Sequence, residues 1–148
     1  MRSASLILVV LLSSCGEKPS SMQDLASTEV VFPNRTKIMA ETVQQQLDLM
    51  RGLMFRESLD PNRGMLFVYR KEDFAPIWMY QTKIPLDIIW ADRDHRIVEI
   101  SANTPPCASK SARGCPYYGG HRKAQFVLEV NAGIAAKNGL KVGDALDF

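Results

Sequence analysis

Apolar and polar positions alternate along this chain in short runs that are broken every few residues by turn-forming side chains. Glu29-Val30-Val31-Phe32 reads as a strand, Pro33-Asn34-Arg35 as its turn, and Thr36 to Thr42 as a second strand. In that second strand Ile38, Ala40 and Thr42 alternate against Lys37, Met39 and Glu41, which is the period of a sheet with one covered face. Thr42 followed by Gln45 has the spacing of a capping box, and it predicts a helix over Val43 to Arg51. Leu47 and Met50 form the apolar side of this helix, Gly52 supplies its permissive end, and Arg51 sits favourably beside its carbonyls.

Asp60-Pro61-Asn62-Arg63-Gly64 is a turn by composition. A strand over Met65 to Tyr69 follows, then a polar reversal at Arg70 to Asp73, a strand over Ile77 to Tyr80 and another over Leu86 to Ala91. Asp92 to His95 turns the chain into a strand over Arg96 to Ser101. Gln125 to Val130 is the strongest strand, with Phe126, Leu128 and Val130 on one face and Gln125 and Glu129 on the other. Ala132 to Asn138 predicts two helical turns, Lys141 to Asp144 a turn, and Ala145 to Phe148 a closing strand. Short strands with dense turn signals and two short helices predict a mainly β fold, a compact antiparallel barrel or jelly-roll-like sandwich.

The first residues carry a different signal. Arg2 precedes an apolar run from Leu6 to Leu12, and small residues follow up to Cys15. That is the pattern of a signal peptide over residues 1–14. The apolar run spans only about 10 Å as a helix, against a bilayer core of roughly 30 Å, so a permanent transmembrane helix is not expected. Leu12-Ser13-Ser14-Cys15 resembles the lipobox of bacterial lipoproteins, which predicts lipidation of Cys15 and a membrane-anchored protein facing the periplasm or the cell exterior. Residues 15–27 then read as the lipidated terminus and a flexible linker, and 28–148 as one domain.

Composition narrows the chemistry. Eighteen Lys plus Arg against 16 Asp plus Glu leave a formal charge of +2 in 148 residues, which argues against nucleic acid as a partner. No serine lies in an elbow motif and no glycine string forms a phosphate cradle, so no cofactor is implied. With three cysteines and two histidines in the chain, a zinc cluster is hard to build. The thioethers of Met39, Met50, Met54, Met65 and Met79 suit copper(I), but filling of the core is their commoner use. His95, in a turn, and His121, beside a loop, read as solvated side chains.

Between Ala102 and Arg122 tandem prolines, serines, glycines and adjacent tyrosines form an excursion from the sheet. Cys107 and Cys115 close a nine-residue ring there, and in an exported chain they predict a disulfide. The spacing is too wide for a CxxC redox pair.

The ordered marks Ala40 and Thr42, Arg51 to Arg56, Gly64 to Phe67, Trp78 to Ile89, and Leu128-Glu129-Val130 leading to Ala132-Gly133 are similar to those of DUF192, a bacterial and archaeal family of domains of unknown function. The likeness runs from about Thr36 to Phe148. It implies a compact, mainly β fold of barrel or jelly-roll type, and the proline-and-cysteine loop is similar to that of exported members. The family pattern carries lysine and asparagine where this chain has Tyr80 and Gln81. The resemblance implies no established reaction.

Three polar residues stand out in the pattern. Asp87 interrupts the run Leu86 to Ile89, and a carboxylate inside a strand needs a partner. Arg51 or Arg56, or the amides of Thr82 to Ile84, are the expected partners, in a structural role. The alternative is an envelope hydrolase in which Asp87 works with a second carboxylate, Asp73 or Asp92. Trp78 and Tyr80 share strand parity. With Tyr117, Tyr118 and Gln81 they suggest a shallow groove for a glycan ring or an extended peptide, core packing being the plainer use of the aromatics. The sequence therefore predicts a noncatalytic binding or structural module of the bacterial cell envelope.

Overall fold

A computed structural model describes residues 25–148 of the chain. The leader, Cys15 and most of the linker lie outside the described residues. The chain forms β1 (Ser27–Val31), β2 (Lys37–Val43), α1 (Gln46–Arg51), β3 (Arg63–Phe74), β4 (Ile77–Trp78), β5 (Leu86–Ala91), β6 (Ile97–Thr104), β7 (Tyr117–Tyr118), β8 (Lys123–Asn131) and α2 (Ile134–Lys137). Six strands make one sheet in the order β1-β2-β3-β8-β5-β6, and β4 pairs with β7 in a small second ladder.

The fold is mainly β, as its turn density predicts, but it is not wholly antiparallel. β2 and β3 run parallel, from Met39 opposite Arg63 to Val43 opposite Phe67. Parallel neighbours need a long crossover, and α1 with the loop up to Asn62 supplies it. The strand order is linear, so the sheet is not a closed barrel. At one end the last residues touch both of its edges. Asp147 bridges to Val31 on β1, and Ala145 bridges to Arg96 just before β6. The closing strand expected at Ala145 to Phe148 is thus reduced to single bridges, with Leu146 buried between them.

Both faces of the central strands are covered. On the first face Leu66, Ile89, Leu128 and Val130 pack with Ile38, Phe32, Ala135 and Leu146. On the second, Met65, Phe67, Ile88, Trp90 and Val127 pack with Leu53, Ile77 and Met79. Two methionines, Met65 and Met79, are therefore core residues. β5 is buried at every position, which explains its unbroken apolar run.

Three local expectations change. Thr42 lies within β2 instead of capping a helix, and its hydroxyl bonds to that of Thr28 across the β1–β2 pair at 2.9 Å. The helix starts later, and Leu47 and Met50 are exposed while Leu49 packs inward. The predicted reversal at Arg70 to Asp73 is instead a bulge: β3 continues to Phe74, and its register against β8 shifts between Val68 and Asp73. Polar side chains there reflect an exposed strand end. His95 is not simply solvated either, since its ring stacks on Phe148 with centroids 3.9 Å apart and meets the Phe126 ring edge-on.

Candidate functional site: an aromatic cleft above a buried glutamate

Asp87 is fully buried, and its partners are not the expected ones. Its Oδ1 accepts the Asn103 N–H and its Oδ2 the Ala135 N–H, each at 2.7 Å. One carboxylate thereby ties the end of β6 and the start of α2 to β5. The arginines are elsewhere: Arg56 holds Glu41 through both terminal nitrogens, at 2.6 Å each, and Arg51 is exposed on α1. This bidentate pair pushes Glu41 below the usual carboxylate range, because the guanidinium donates to its charged form.

The hydrolase arrangement around Asp87 does not assemble. On β8, Asp87 lies opposite Val130 and Asp73 opposite Ala124, so the two are roughly 20 Å apart along the sheet. Asp92 follows β5 on the far side, and its Oδ1 closes its own turn by accepting the amides of Asp94 and Arg96. Among the described residues, Asp87 is not part of the lining of the cleft that Trp78 and Tyr117 border.

The aromatic residues do come together. In the β4–β7 ladder Trp78 is opposite Tyr117 and Ile77 opposite Tyr118. The Trp78 and Tyr117 rings stack with centroids 5.9 Å apart and planes within 9° of parallel, and Tyr80 meets Trp78 at 5.7 Å. Tyr117 is 63% exposed, whereas Tyr118 packs into the second core layer. Gln81 takes part through its backbone: with φ of 55° it presents its carbonyl to the Phe55 amide, tying two loops together.

What holds β7 in place is the loop before it. Cys107 and Cys115 form the predicted disulfide, and the Cys107 amide donates to the Met79 carbonyl. Beyond β7, Gly119 has φ of 58°, and a Cβ there would stand 2.4 Å from the Trp90 ring. Only glycine lets the backbone lie so close. Trp90 is fixed in turn by its indole N–H, which donates to the Ala75 carbonyl at 2.8 Å.

Trp78 and Tyr117 form one wall of a cleft of about 180 Å³ that also involves α1, Phe67, Tyr69 and Thr82. Glu129 on β8 lines it from within and is only 4% exposed. Its carboxyl accepts no hydrogen bond among the described residues. Burial pushes its pKa up to about 8, partly countered by the Arg56 charge. Burial, and then the neighbouring Glu129, push the Tyr69 phenol to about 12. Sequence patterning assigned Glu129 to the polar face of its strand. The legible warning was Val127, two residues earlier on that same face, which makes the face apolar and Glu129 anomalous on it.

Among the described residues no group of three or more His, Cys, Asp or Glu is arranged to hold a metal ion, and no helix is long and apolar enough to cross a membrane.

No curated protein matches this chain. A crystal structure of a protein of unknown function from Novosphingobium aromaticivorans is similar to it, with a TM-score of 0.74 and 32% identity over 86% of this chain and 89% of that one. A second, from Sinorhizobium meliloti and described as a "putative transcription regulator", has a TM-score of 0.73 and 26% identity over 84% of this chain and 95% of the other. The model of DUF192, described as an uncharacterized ACR, matches residues 29–148, and with nearly the whole described domain inside that match the chain belongs to the DUF192 family.

Proposed function

We propose that this protein is a noncatalytic recognition module of the bacterial cell envelope, and that the cleft beside Trp78 and Tyr117 is where it takes a glycan or peptide group. The observation that carries the reading is the exposed, parallel Trp78–Tyr117 stack at the mouth of a cleft of about 180 Å³, room for one sugar ring or one side chain. Tyr117 is held on the β4–β7 ladder, and a ring fixed in place loses less entropy on binding. The chain is read as a lipoprotein tethered through Cys15 and facing the periplasm or cell exterior. The leader pattern supports this, and so does a disulfide, which persists in oxidising compartments. The bridges of Asp147 to β1 and of Ala145 to Arg96 beside β6 support reading the domain as of barrel type.

Titration with peptidoglycan fragments, followed by NMR shifts of residues around the cleft, tests the recognition role. Saturable shifts without turnover are expected, weakened at least tenfold by Trp78→Ala with Tyr117→Ala; unchanged affinity in that double variant defeats the reading. For the tether, palmitate labelling of the wild type and its loss in Cys15→Ala are expected.

A further inference from the structure

We infer that the group entering this cleft is a primary ammonium, held by Glu129 as its counter-charge beneath the aromatic wall. The inference rests on the recognition reading above and adds the chemistry of the ligand.

Glu129 is more than nine-tenths buried, lines the cleft, and has no hydrogen-bond donor among the described residues. No side-chain oxygen sealed from solvent lacks a partner among the described residues, so the Glu129 oxygens reach the cleft, where a donor from outside can meet them. The nearby guanidinium does not meet the need. Both terminal nitrogens of Arg56 are taken by Glu41, so neither is free to donate to Glu129, and Arg51 reaches the cleft only from its exposed place on α1. Gly52 brings bare backbone close to the carboxyl: a Cβ there would stand 3.0 Å from the Phe67 ring and 3.8 Å from Glu129 Oε2. Four aromatic residues, Phe67, Tyr69, Trp78 and Tyr117, also line the cleft, a ring type that attracts cations, with Arg51 the one cation among the lining residues. An ammonium offers three donors and a positive charge to two carboxylate oxygens, whereas a hydroxyl offers one donor and no charge.

Binding must then draw a proton off Glu129, since its folded pKa lies near 8. The groups facing it are Arg56 from the loop after α1, Tyr69 from β3 and, on the cleft wall, Arg51 from α1; Glu41 on β2 acts through Arg56. Arg56 is held above its ordinary value, Tyr69 is pushed to about 12 and Glu41 is held low, so these three keep their charge state through neutral pH. Affinity should therefore rise about tenfold per pH unit between pH 6 and 7.5.

An ammonium can come from an amino sugar or from an amino acid, and paired probes separate the two sources. Glucosamine, N-acetylglucosamine, lysine amide and diacetyl-lysine amide are titrated into the whole protein at pH 6, 7 and 8 by calorimetry, with the Glu129 carboxyl followed by 13C NMR. At least one free amine should bind ten times tighter than its acetylated partner, with the Glu129 pKa falling on saturation. Glu129→Gln should erase both the preference and the pH dependence. Equal binding of acetylated and free forms overturns the ammonium inference while leaving recognition standing. If all four probes fail at millimolar concentration, the recognition reading falls with it. A Glu129 pKa unmoved by a bound amine overturns the inference even if the glutamine variant does not fold.

Discussion

Asp87 and Glu129 sit on adjacent strands, β5 and β8, one residue out of register with each other, and their side chains leave the sheet on opposite faces. Both are buried, yet their surroundings differ in kind. Asp87 receives two backbone amides, one from β6 where its register against β5 shifts and one from the start of α2. Glu129 receives none among the described residues and faces an opening. A carboxylate whose oxygens are satisfied internally stabilises one arrangement of the chain, while one left open destabilises the empty protein and is available to something outside it. The first face of the sheet is thus built for folding, and the second is where function is to be sought.

The largest effect expected of this contrast is on stability at Asp87. Asp87→Ala takes the acceptor from the buried Ala135 amide and the part-buried Asn103 amide and should cost roughly 2–4 kcal/mol in urea unfolding. Asp87→Asn keeps one acceptor and should cost less. A loss under about 1 kcal/mol for the alanine variant would mean that the two faces do not differ as described.

Glu129 should show the opposite sign. Below about pH 4.5 the carboxyl is protonated folded and unfolded, and contributes no pH dependence. Between there and about pH 8 the folded protein keeps a proton that the unfolded chain has released, so stability falls as pH rises. The slope is up to about 1.4 kcal/mol per pH unit, or about 3 kcal/mol from pH 5 to pH 7, and it stops above the folded pKa. Glu129→Gln removes this contribution and should leave the variant more stable than wild type at pH 8. Paired denaturation curves at pH 5, 7 and 8 check it, and parallel wild-type and variant profiles would place Glu129 among ordinary solvated carboxylates.

The disulfide tests whether the cleft face depends on its loop. Opening the nine-residue ring with Cys107→Ala and Cys115→Ala should cost at most about 2.6 kcal/mol by chain entropy. The sharper expectation is functional. With β7 no longer anchored behind Cys115, Tyr117 loses its fixed place on Trp78, and affinity for cleft ligands should fall even in buffer where the protein stays folded.

How much of this was readable beforehand follows from how local each determinant is. Leu86 to Ala91 and the Cys107–Cys115 ring were legible, since a buried strand bounded by turn residues and a short cysteine spacing declare themselves within a few positions. Thr42 was misread because β2 runs through it, and its hydroxyl meets that of Thr28 on another strand, a partner that a capping motif does not reveal. The parallel pairing of β2 with β3 depends on which strand the chain meets after α1, and no run of side chains encodes it locally. The aromatic cluster was legible by residue type, and its real members, Trp78, Tyr80 and Tyr117, were named; Tyr118 turned inward by the strict alternation of β7. Glu129 was hidden by the assumption that one face of its strand meets water. α1, the β4–β7 ladder and the cysteine loop cover that face, and all of them come from other parts of the chain.

The smallest expected change in stability is the most informative about use. Tyr117 is 63% exposed and touches the fold chiefly through its stack on Trp78. Tyr117→Ala should therefore cost only about 0.5–1 kcal/mol in urea unfolding. If the cleft is a recognition site, the same variant should bind ligand roughly tenfold more weakly, since the lost ring is a contact surface in the complex and only a stacking partner in the free protein. Tyr118→Ala is the matching control on the other side of the same two-residue strand. It should unfold much more easily, because Tyr118 packs beneath the cleft in the second core layer. A protein in which Tyr117 and Tyr118 behaved alike in both measurements would have no division of labour across β7, and the exposed ring would then be surface rather than site.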